Sequence, residues 1–270
     1  MIGFFDSGLG GLSILKEVEK VMPEYDYIYL GDNARTPYGS RSDEVIYEFT
    51  VAGVKELINR GAELVILACN TSSGVALRRI QQEFLPKYFP DKKVLGIIIP
   101  TAEEANNFSG SGHIGILATE ATVNSKTYEK EIEKINPDLK IIGQPCPLFV
   151  PIIEAGEVGW EGLDLAIKKY TEALLRKDKD IDAVILGCTH YALIQDRIRK
   201  QIPGDIKIIS QGEIVAKKLK DYIARHPEIE EKLGKAGKKV FLTTEKSERI
   251  ERLTKMFFNI NVSLKLINFN

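Results

Sequence analysis

Residues 62–71 (AELVILACNT) and 181–190 (IDAVILGCTH) are two versions of one pattern. In each segment an acidic residue precedes a run of apolar residues, and a small residue, a cysteine and two polar residues follow. Unbroken apolar runs of this length are typical of parallel strands that are buried on both faces. Cys69 and Cys188 should therefore lie just beyond the carboxyl ends of two such strands, at the edge where open α/β sheets bind ligands.

The internal similarity extends beyond the two cysteine segments. Residues 2–7 resemble residues 114–119, and residues 93–98 resemble residues 206–209, at a spacing close to that of the cysteines. Further apolar runs predict strands near 27–30 and 139–143, with helices in the gaps. The pattern predicts an α/β fold in which two pseudo-symmetric, doubly wound parallel-sheet domains face a shared cleft.

The predicted domains are discontinuous in sequence. Residues 1–99 and 211–270 should form the first lobe, and residues 100–210 the second. The tail is expected to return to the first lobe through a helix near 211–224 and strand-like pieces at 240–243 and 262–267. The spacing of residues 101–104 (TAEE) and 210–213 (SQGE) is that of capping boxes, which predicts helix starts there.

Composition and charge exclude several functional classes. The chain of 270 residues is long enough for two packed lobes of about 100 to 150 residues each. Its 37 Lys and Arg residues balance 38 Asp and Glu residues, so no net basic field attracts nucleic acid. No apolar run approaches the ~18 residues that cross a bilayer, and acidic Asp6 near the start does not fit a secretory signal. Three cysteines without C-x-x-C spacing argue against a disulfide framework and a zinc site, so we expect no metal and a reducing cytoplasm.

The paired cysteines suggest a chemistry that is itself mirror-symmetric. Removing a proton from the α-carbon of an amino acid and returning one on the opposite face needs a base on one side and an acid on the other. A free thiol with a pKa of about 8.5 can serve as either, and a helix N-terminus after each strand is expected to lower that pKa. Polar Asn70, Thr71 and Thr189 would help to bind the substrate carboxylate. Either cysteine taken alone could instead be a small buried apolar residue.

The glycine-rich segment at residues 6–11 (DSGLGG) follows the first predicted strand. A dinucleotide fingerprint would need a third glycine where Ser13 stands, so the segment does not predict a dinucleotide cofactor. Its glycines allow a tight turn that would hold Asp6 and Ser7 at the cleft. The alternative is that Asp6 only caps the first helix.

His190 is the histidine with the most informative position, two residues beyond Cys188. Its imidazole could raise the thiolate fraction of a cysteine or donate a hydrogen bond to the substrate. His113 and His226 have no such neighbours, and we interpret them as structural or exposed. Cys146, between two prolines, is interpreted as structural.

Five motifs together resemble one enzyme family. They are DSGLGG (6–11), GDNARTPYG (31–39), ACNTSS (68–73), ATEATVNS (118–125) and GCTHY (187–191). The set closely resembles glutamate racemase, a cofactor-independent member of the aspartate/glutamate racemase superfamily. The resemblance implies 1,1-proton transfer between L- and D-glutamate without a cofactor, supply of D-glutamate to peptidoglycan synthesis, and a homodimer.

The same resemblance assigns roles by motif position. Cys69 and Cys188 become the acid/base residues, the first associated with the D enantiomer and the second with the L enantiomer. Asp6 and His190 match residues that assist these thiols. Glu154 matches, on a weak motif, an acidic residue near the cleft. The positions that match substrate-binding residues are Asp6, Ser7, Tyr38, Gly39, Asn70, Thr71, Thr122, Thr189 and His190.

Three other functions fit parts of the pattern. The same fold could act on aspartate or a hydantoin instead of glutamate. A thiol hydrolase would use one nucleophilic cysteine with His190 as its base, which leaves the other cysteine dispensable. A two-lobed binding protein would need neither thiol, but such proteins often work outside the cytoplasm and no export signal is visible.

Overall fold

A computed structural model describes residues 1–258 and 262–269 of the chain. In this part of the chain ten strands form two separate sheets, and every strand pair is parallel. The strands are β1 Ile2–Asp6, β2 Tyr27–Gly31, β3 Leu64–Leu67, β4 Lys93–Gly96, β5 His113–Ala118, β6 Lys140–Pro145, β7 Ala183–Gly187, β8 Lys207–Ile209, β9 Lys239–Thr243 and β10 Leu264–Leu266.

Helices connect the strands in both halves. The α-helices are α1 Leu12–Val21, α2 Asp43–Asn59, α3 Asn70–Val75, α4 Leu77–Arg79, α5 Leu85–Tyr88, α6 Ile98–Glu103, α7 Glu120–Asn124, α8 Thr127–Glu133, α9 Phe149–Glu154, α10 Glu161–Lys177, α11 Gln195–Gln201, α12 Gly212–Ala224, α13 Pro227–Glu230 and α14 Glu248–Phe258. A π-helical segment, Ile80–Phe84, joins α4 to α5, and two 3₁₀ helices span Ala105–Asn107 and Thr189–Ile194. No helix in the described ranges is both long and apolar enough to cross a lipid bilayer.

Four strands of the first sheet have the same order as the four strands of the second. The first runs β10-β9-β2-β1-β3-β4, and the second runs β6-β5-β7-β8. The order β2-β1-β3-β4 in the first sheet therefore matches β6-β5-β7-β8 in the second, strand for strand. The sequence pairs that predicted a duplicated half fall on β1 with β5, β3 with β7 and β4 with β8. The predicted fold class, two parallel-sheet α/β units, is confirmed.

The last part of the chain joins the first sheet. β9 pairs with β2, and β10 pairs with β9 on the outer edge. The first sheet thus contains strands from both ends of the described chain, while the second contains only strands between residues 113 and 209. The predicted lobe boundaries, at residues 99/100 and 210/211, remain a prediction.

The central strands are apolar because both faces are covered by helices. Every residue of β1, β2, β3 and β7 is buried. Helix α1 turns Leu12, Leu15 and Val18 into the core, and it packs against both α12 and α14. The largest apolar cluster continues from these residues to Val184 and Leu186 of the second sheet. The two lobes therefore share one core beneath the cleft.

One of the two predicted helix starts is wrong. Helix α6 begins at Ile98, so Thr101 lies inside it and its hydroxyl donates to the Ile97 carbonyl oxygen at 3.0 Å. The apolar residues 97–99 extend the helix toward the N-terminus, which the TAEE spacing did not reveal. The second expectation is off by a single residue, since α12 begins at Gly212 with Gln211 as its N-cap.

Candidate active site between the two sheets

Cys69 lies where β3 ends and α3 begins. It is the N-cap residue of α3, in an extended conformation, and its sulfur accepts the backbone N–H of Ser72 at 3.5 Å. Its thiol also lies 3.6 Å from the Ser7 hydroxyl, which comes from the turn after β1. Neighbouring parallel strands thus bring Ser7 and Cys69 together at the carboxyl edge of the first sheet.

Cys188 has the matching position in the second sheet. It follows β7 directly and precedes the 3₁₀ helix that starts at Thr189. Its sulfur lies 3.9 Å from Nδ1 of His190. The helix expected after this strand is therefore a 3₁₀ helix, and its tight turn places the imidazole of His190 beside the thiol.

Both thiols line one cavity. This cavity, of about 70 Å³, lies between the carboxyl edges of the two sheets. Its lining residues are Ser7, Pro37, Tyr38, Gly39, Ser40, Cys69, Asn70, Thr71, Thr119, Glu120, Cys146, Pro147, Val150, Pro151, Cys188, Thr189 and His190. The structure thus brings together all the residues that the sequence analysis assigned to the site except three, Asp6, Thr122 and Glu154, which lie behind this lining.

Cys188 and Thr189 also line a second, larger cavity of about 650 Å³. It is bounded by α1, α12 and α14. Cys188 therefore lines both cavities.

Asp6 is fully buried beneath the cleft. One carboxylate oxygen accepts the Gly8 N–H at 2.9 Å, and the other accepts the Thr189 hydroxyl at 3.4 Å. The second contact crosses from the first sheet to the second. Burial raises the pKa of Asp6, and the charge of His190 only partly opposes this.

Gly10 explains how the two lobes approach so closely here. A Cβ atom at this position would lie 2.6 Å from Nδ1 of His190 and even closer to the Thr189 hydroxyl. Only a residue without a side chain leaves room for both groups. The glycines of residues 6–11, which the sequence analysis assigned to a tight turn, thus also admit residues of the opposite lobe.

Glu154 and His190 form a buried ion pair. Nε2 of His190 lies 2.6 Å from Oε1 of Glu154, and Nη1 of Arg249 lies 3.1 Å from Oε2. Burial alone would raise the pKa of Glu154, but the hydrogen bond from His190 and the positive charges of His190 and Arg249 hold this pKa below its usual range. The carboxylate therefore accepts from Nε2–H, and the opposite nitrogen, Nδ1, faces Cys188.

The pKa of His190 shows what this pairing does. Burial alone would lower it, but the hydrogen bonds and negative charges of Cys188 and Glu154 raise it well above its usual range. As an imidazolium, His190 can donate from Nδ1 to a Cys188 thiolate. As a neutral ring, it can accept the S–H proton. The same geometry suits Cys188 as a base and as an acid.

The two thiols have different surroundings. Burial raises the pKa of Cys69, the nearby Asp6 carboxylate raises it further, and the hydrogen bonds with Ser72 and Ser7 only partly oppose them. The Ser72 N–H at the N-terminus of α3 does lower this pKa, as a helix N-terminus can, but removal from water and a nearby negative charge outweigh it, so the net shift is upward.

Hydroxyl groups from the two lobes meet at one side of the cavity. Thr71 and Thr119 lie 2.9 Å apart, and Thr119 is also 2.9 Å from Thr122. Thr122, a predicted substrate contact, thus reaches the cavity through Thr119. Thr119 was not among the predicted site residues, although the sequence repeat aligns it with Ser7.

A buried amide network adjoins Asn70. Its Nδ2 donates to Gln211 at 2.6 Å, and its Oδ1 accepts the Tyr128 hydroxyl at 2.8 Å. Gln211 in turn donates to Tyr128 at 2.8 Å and to the Thr101 hydroxyl at 3.0 Å. Gln211 was not predicted as part of the site, since 141 positions separate it from Asn70 and no motif links them.

Tyr38 also lines the cavity. Its hydroxyl donates to the buried Asp32 carboxylate, which also accepts the Thr244 hydroxyl at 2.8 Å. Burial and the Asp32 charge raise the pKa of Tyr38, so the phenol stays protonated. The next residue, Gly39, accepts the Ala121 N–H at 3.0 Å, which ties this loop to the second lobe.

The remaining cysteine and histidines lie in different environments. Cys146 is buried and also lines the cavity, and its thiol donates to the Gln144 carbonyl oxygen at 3.4 Å. His113 starts β5, at the sheet edge away from the cleft, and pairs with Asp178 at 2.9 Å. His226 stacks on Tyr222.

Known proteins share both sequence and fold with this chain. Residues 12–219 match the family model for Asp/Glu/Hydantoin racemase. A glutamate racemase of Paracoccus denitrificans (strain Pd 1222) is 41% identical over 260 residues, which cover 92% of this chain and 93% of that protein.

Two crystal structures match almost the whole fold. Glutamate racemase from Francisella tularensis in complex with D-glutamate has a TM-score of 0.87 and 33% identity, covering 100% of this chain and 97% of that one. A glutamate racemase isoform from Bacillus anthracis has a TM-score of 0.89 and 30% identity, covering 99% and 97%.

Proposed function

This chain belongs to the Asp/Glu/Hydantoin racemase family, and from that premise we propose that it interconverts L- and D-glutamate by moving the α-proton between Cys69 and Cys188. The observation that carries the proposal is that both thiols line one cavity, each from the carboxyl edge of a matching strand in one of the two sheets. A carbon held between them has one sulfur available to each face. No cofactor is needed for this proton transfer.

The proton balance of the proposed cycle is simple. One cysteine enters as thiolate and the other as thiol. The thiolate takes the α-proton from one face of glutamate, and the planar carbanion then receives the proton of the other thiol on the opposite face. The product has inverted configuration, and the two cysteines have exchanged protonation states.

His190 supports the proposed role of Cys188. Its Nδ1 faces the sulfur at 3.9 Å, and Glu154 fixes the other ring nitrogen. In this arrangement the thiolate gains an imidazolium partner before it removes a proton. By the family resemblance Cys188 takes the proton of the L enantiomer.

Cys69 would work in a different setting. Its proposed partners are the buried Asp6 carboxylate, whose charge favours the protonated thiol, and the Ser7 hydroxyl at 3.6 Å. We propose that the substrate carboxylates are held by the polar lining of the cavity, from Ser7, Tyr38, Gly39, Asn70, Thr71, Thr119 and Thr189, with Thr122 acting through Thr119. These donors come from both lobes, so substrate would bind between them.

The test is racemisation in deuterated water. L-glutamate should lose its optical rotation without added cofactor, while deuterium enters the α-position. Cys69→Ala and Cys188→Ala should each slow this by at least the ~10²–10⁴-fold effect of a lost acid or base. Cys146→Ala is the matched control, a third buried thiol on the same cavity, and should keep most of the activity. Near wild-type racemisation by Cys69→Ala would refute the two-thiol mechanism.

Two of the alternatives lose support from the family assignment. A thiol hydrolase and a non-catalytic binding protein both lie outside a racemase family. Aspartate remains the competing substrate, and the relative rates on L-aspartate and L-glutamate decide between them. We expect glutamate to be the better substrate, because the relatives with high coverage are glutamate racemases.

We further propose that the protein acts in the cytoplasm as a homodimer and supplies D-glutamate for peptidoglycan. Three free, buried cysteines fit a reducing compartment. The family resemblance supports the dimer and the cell-wall role. Light scattering on the purified protein would measure the mass, and a monomer would contradict the dimer.

A further inference from the structure

The C-terminal helix α14 contributes two side chains to the surroundings of His190. Arg249, in its first turn, binds Glu154, and Phe257, in its last turn, packs edge-on against the imidazole with ring centroids 5.4 Å apart. His190 itself is 3% exposed. Helix α14 therefore contacts the ring directly through Phe257 and indirectly through Arg249 and the Glu154 carboxylate.

Arg249 binds Glu154 at two points. Nη1 donates to Oε2 at 3.1 Å and to the backbone carbonyl oxygen of Glu154 at 3.2 Å. Its Nη2 lies 3.5 Å from Oε1 of Glu245, which precedes helix α14. Because a guanidinium is planar and presents several fixed donors, it can hold a carboxylate in one orientation. Glu154 then offers its free oxygen, Oε1, to His190.

The orientation of Glu154 decides which nitrogen of His190 faces the thiol. With Oε1 accepting from Nε2 at 2.6 Å, Nδ1 is the only ring nitrogen left for Cys188. A carboxylate on the opposite side of a functional imidazole fixes its tautomer and direction in other enzymes. In this protein the carboxylate is held in turn by a residue from the far end of the chain.

We propose that Arg249 is a positioning residue of the Cys188 half of the active site, acting through Glu154 and His190. It touches neither thiol and need not contact substrate. The inference rests on the proposed racemase function. It assigns to helix α14 an indirect, positioning part in the proton transfer at Cys188, and none in the transfer at Cys69.

The variants that test this are Arg249→Met, Arg249→Lys and Arg252→Met. The first removes the charge and the donors but keeps an unbranched side chain. The second keeps the positive charge but replaces the planar guanidinium by an ammonium group. The third is the matched control on the same helix, since Arg252 is 70% exposed and lies 3.8 Å from the exposed Glu248.

The decisive readout is the primary deuterium isotope effect in each direction, with α-deuterated L- and D-glutamate. If Cys188 is a weaker base, its removal of the α-proton from L-glutamate becomes more rate-limiting, and the isotope effect with α-deuterated L-glutamate should rise. With α-deuterated D-glutamate, proton delivery by Cys188 becomes more rate-limiting than proton removal by Cys69, so the isotope effect should fall. Arg249→Met should also lose about 10- to 100-fold in kcat, the loss seen when an outer partner of a functional histidine is removed in metal sites. The kcat of Arg249→Lys should lie between those of Arg249→Met and the wild type, and Arg252→Met should match the wild type.

A general loss of structure would slow both directions without this asymmetry. Unchanged isotope effects in both directions, or wild-type kinetics in Arg249→Met, would overturn the proposal. If Arg249→Met does not fold at the assay temperature, the same measurements on Arg249→Lys decide, with thermal unfolding as the check.

A second readout needs no catalysis. In protein labelled with ¹⁵N-histidine, the Nε2–H proton of His190 should resonate far downfield because it binds Glu154 at 2.6 Å, with His190→Gln to assign it. This signal should move upfield and broaden in Arg249→Met but not in Arg252→Met. An unchanged signal would refute the positioning role even if the wild type did not racemise glutamate, whereas failure of racemisation alone would refute only the proposed function.

Discussion

A single added carbon atom at Gly10 would keep the two lobes from approaching as closely as they do. The absence of a Cβ there lets the Thr189 hydroxyl and Nδ1 of His190 approach the turn after β1. A fully buried site has little freedom to adjust, because protein interiors are close-packed. The position of His190 therefore depends on a residue that has no functional group.

Gly10→Ala should lower both activity and stability. The added methyl group would push Thr189 and His190 away, at a cost of about 1–3 kcal/mol for overpacking. A displacement of about 1 Å can reduce turnover up to ~100-fold. Racemisation rate and thermal midpoint are the measurements.

Gly204→Ala is the control for this change, since a Cβ there meets nothing within 4 Å. It should behave as the wild type. A Gly10→Ala protein with wild-type turnover would show that the two lobes do not hold this spacing in solution.

Residue chemistry at the site was only partly predictable. The placement of Asp6, Ser7 and His190 at the cleft followed from their positions beside strand ends, while the roles of Asp6 and Ser7 came from the family resemblance. The structure places all three near the thiols. The pKa direction of Cys69 was not predictable, because it depends on burial and on Asp6, which lies 63 positions away in the sequence. The same limit applies to Arg249, whose partner is in another lobe.

At the scale of elements, apolar runs located the strands well because both faces of each central strand are buried. The first residues of the helices were harder to predict from the sequence. The TAEE spacing of residues 101–104 predicted an N-cap at Thr101, but the apolar residues before it are helical too, and the hydroxyl bonds to Ile97. A capping pattern cannot reveal that a helix has already begun.

Asp182, which immediately precedes β7, makes stability depend on pH. Burial alone would raise its pKa, but hydrogen bonds from Ser109, Gly110 and Ser111 lower it to about 2. The folded-state pKa therefore lies below the unfolded value of about 3.9. Its stabilising effect is fully present above that value and is lost as the pH falls toward 2.

Asp182→Asn should therefore unfold at a lower temperature than the wild type at pH 7, and the difference should shrink as the pH falls below 4. The exposed Asp205→Asn is the control and should follow the wild type. Thermal midpoints from pH 7 to pH 2.5 measure both. A difference that stays constant over this range would contradict the assignment.

At the scale of the whole molecule, the repeat predicted the paired sheets, since each copy carries the same strand order. It could not predict the polar network that crosses between the copies. Gln211 has no counterpart in the quoted repeats, and its partners Asn70, Thr101 and Tyr128 are far from it in sequence.

Gln211→Ala should weaken both the connection between lobes and substrate binding. Each buried polar group that loses its partner costs about 1–3 kcal/mol. Asn70, freed from Gln211, would no longer be held toward the cavity, so KM should rise more than kcat falls. Urea unfolding midpoints and steady-state kinetics measure these effects.

The exposed Gln82→Ala is the control for this variant and should change neither quantity. An unchanged KM in Gln211→Ala would mean that the orientation of Asn70 does not depend on the network.

During synthesis, β2 stays at the border of the first sheet until β9 has left the ribosome. The chain between Gly31 and Lys239 takes roughly 10 to 40 seconds to translate at about 5–20 residues per second. For that time β2, whose every residue is buried in the finished protein, is paired with β1 on one edge only, and its other edge can pair with another nascent chain. The late arrival of β9 thus leaves the outer edge of β2 open to association between growing chains.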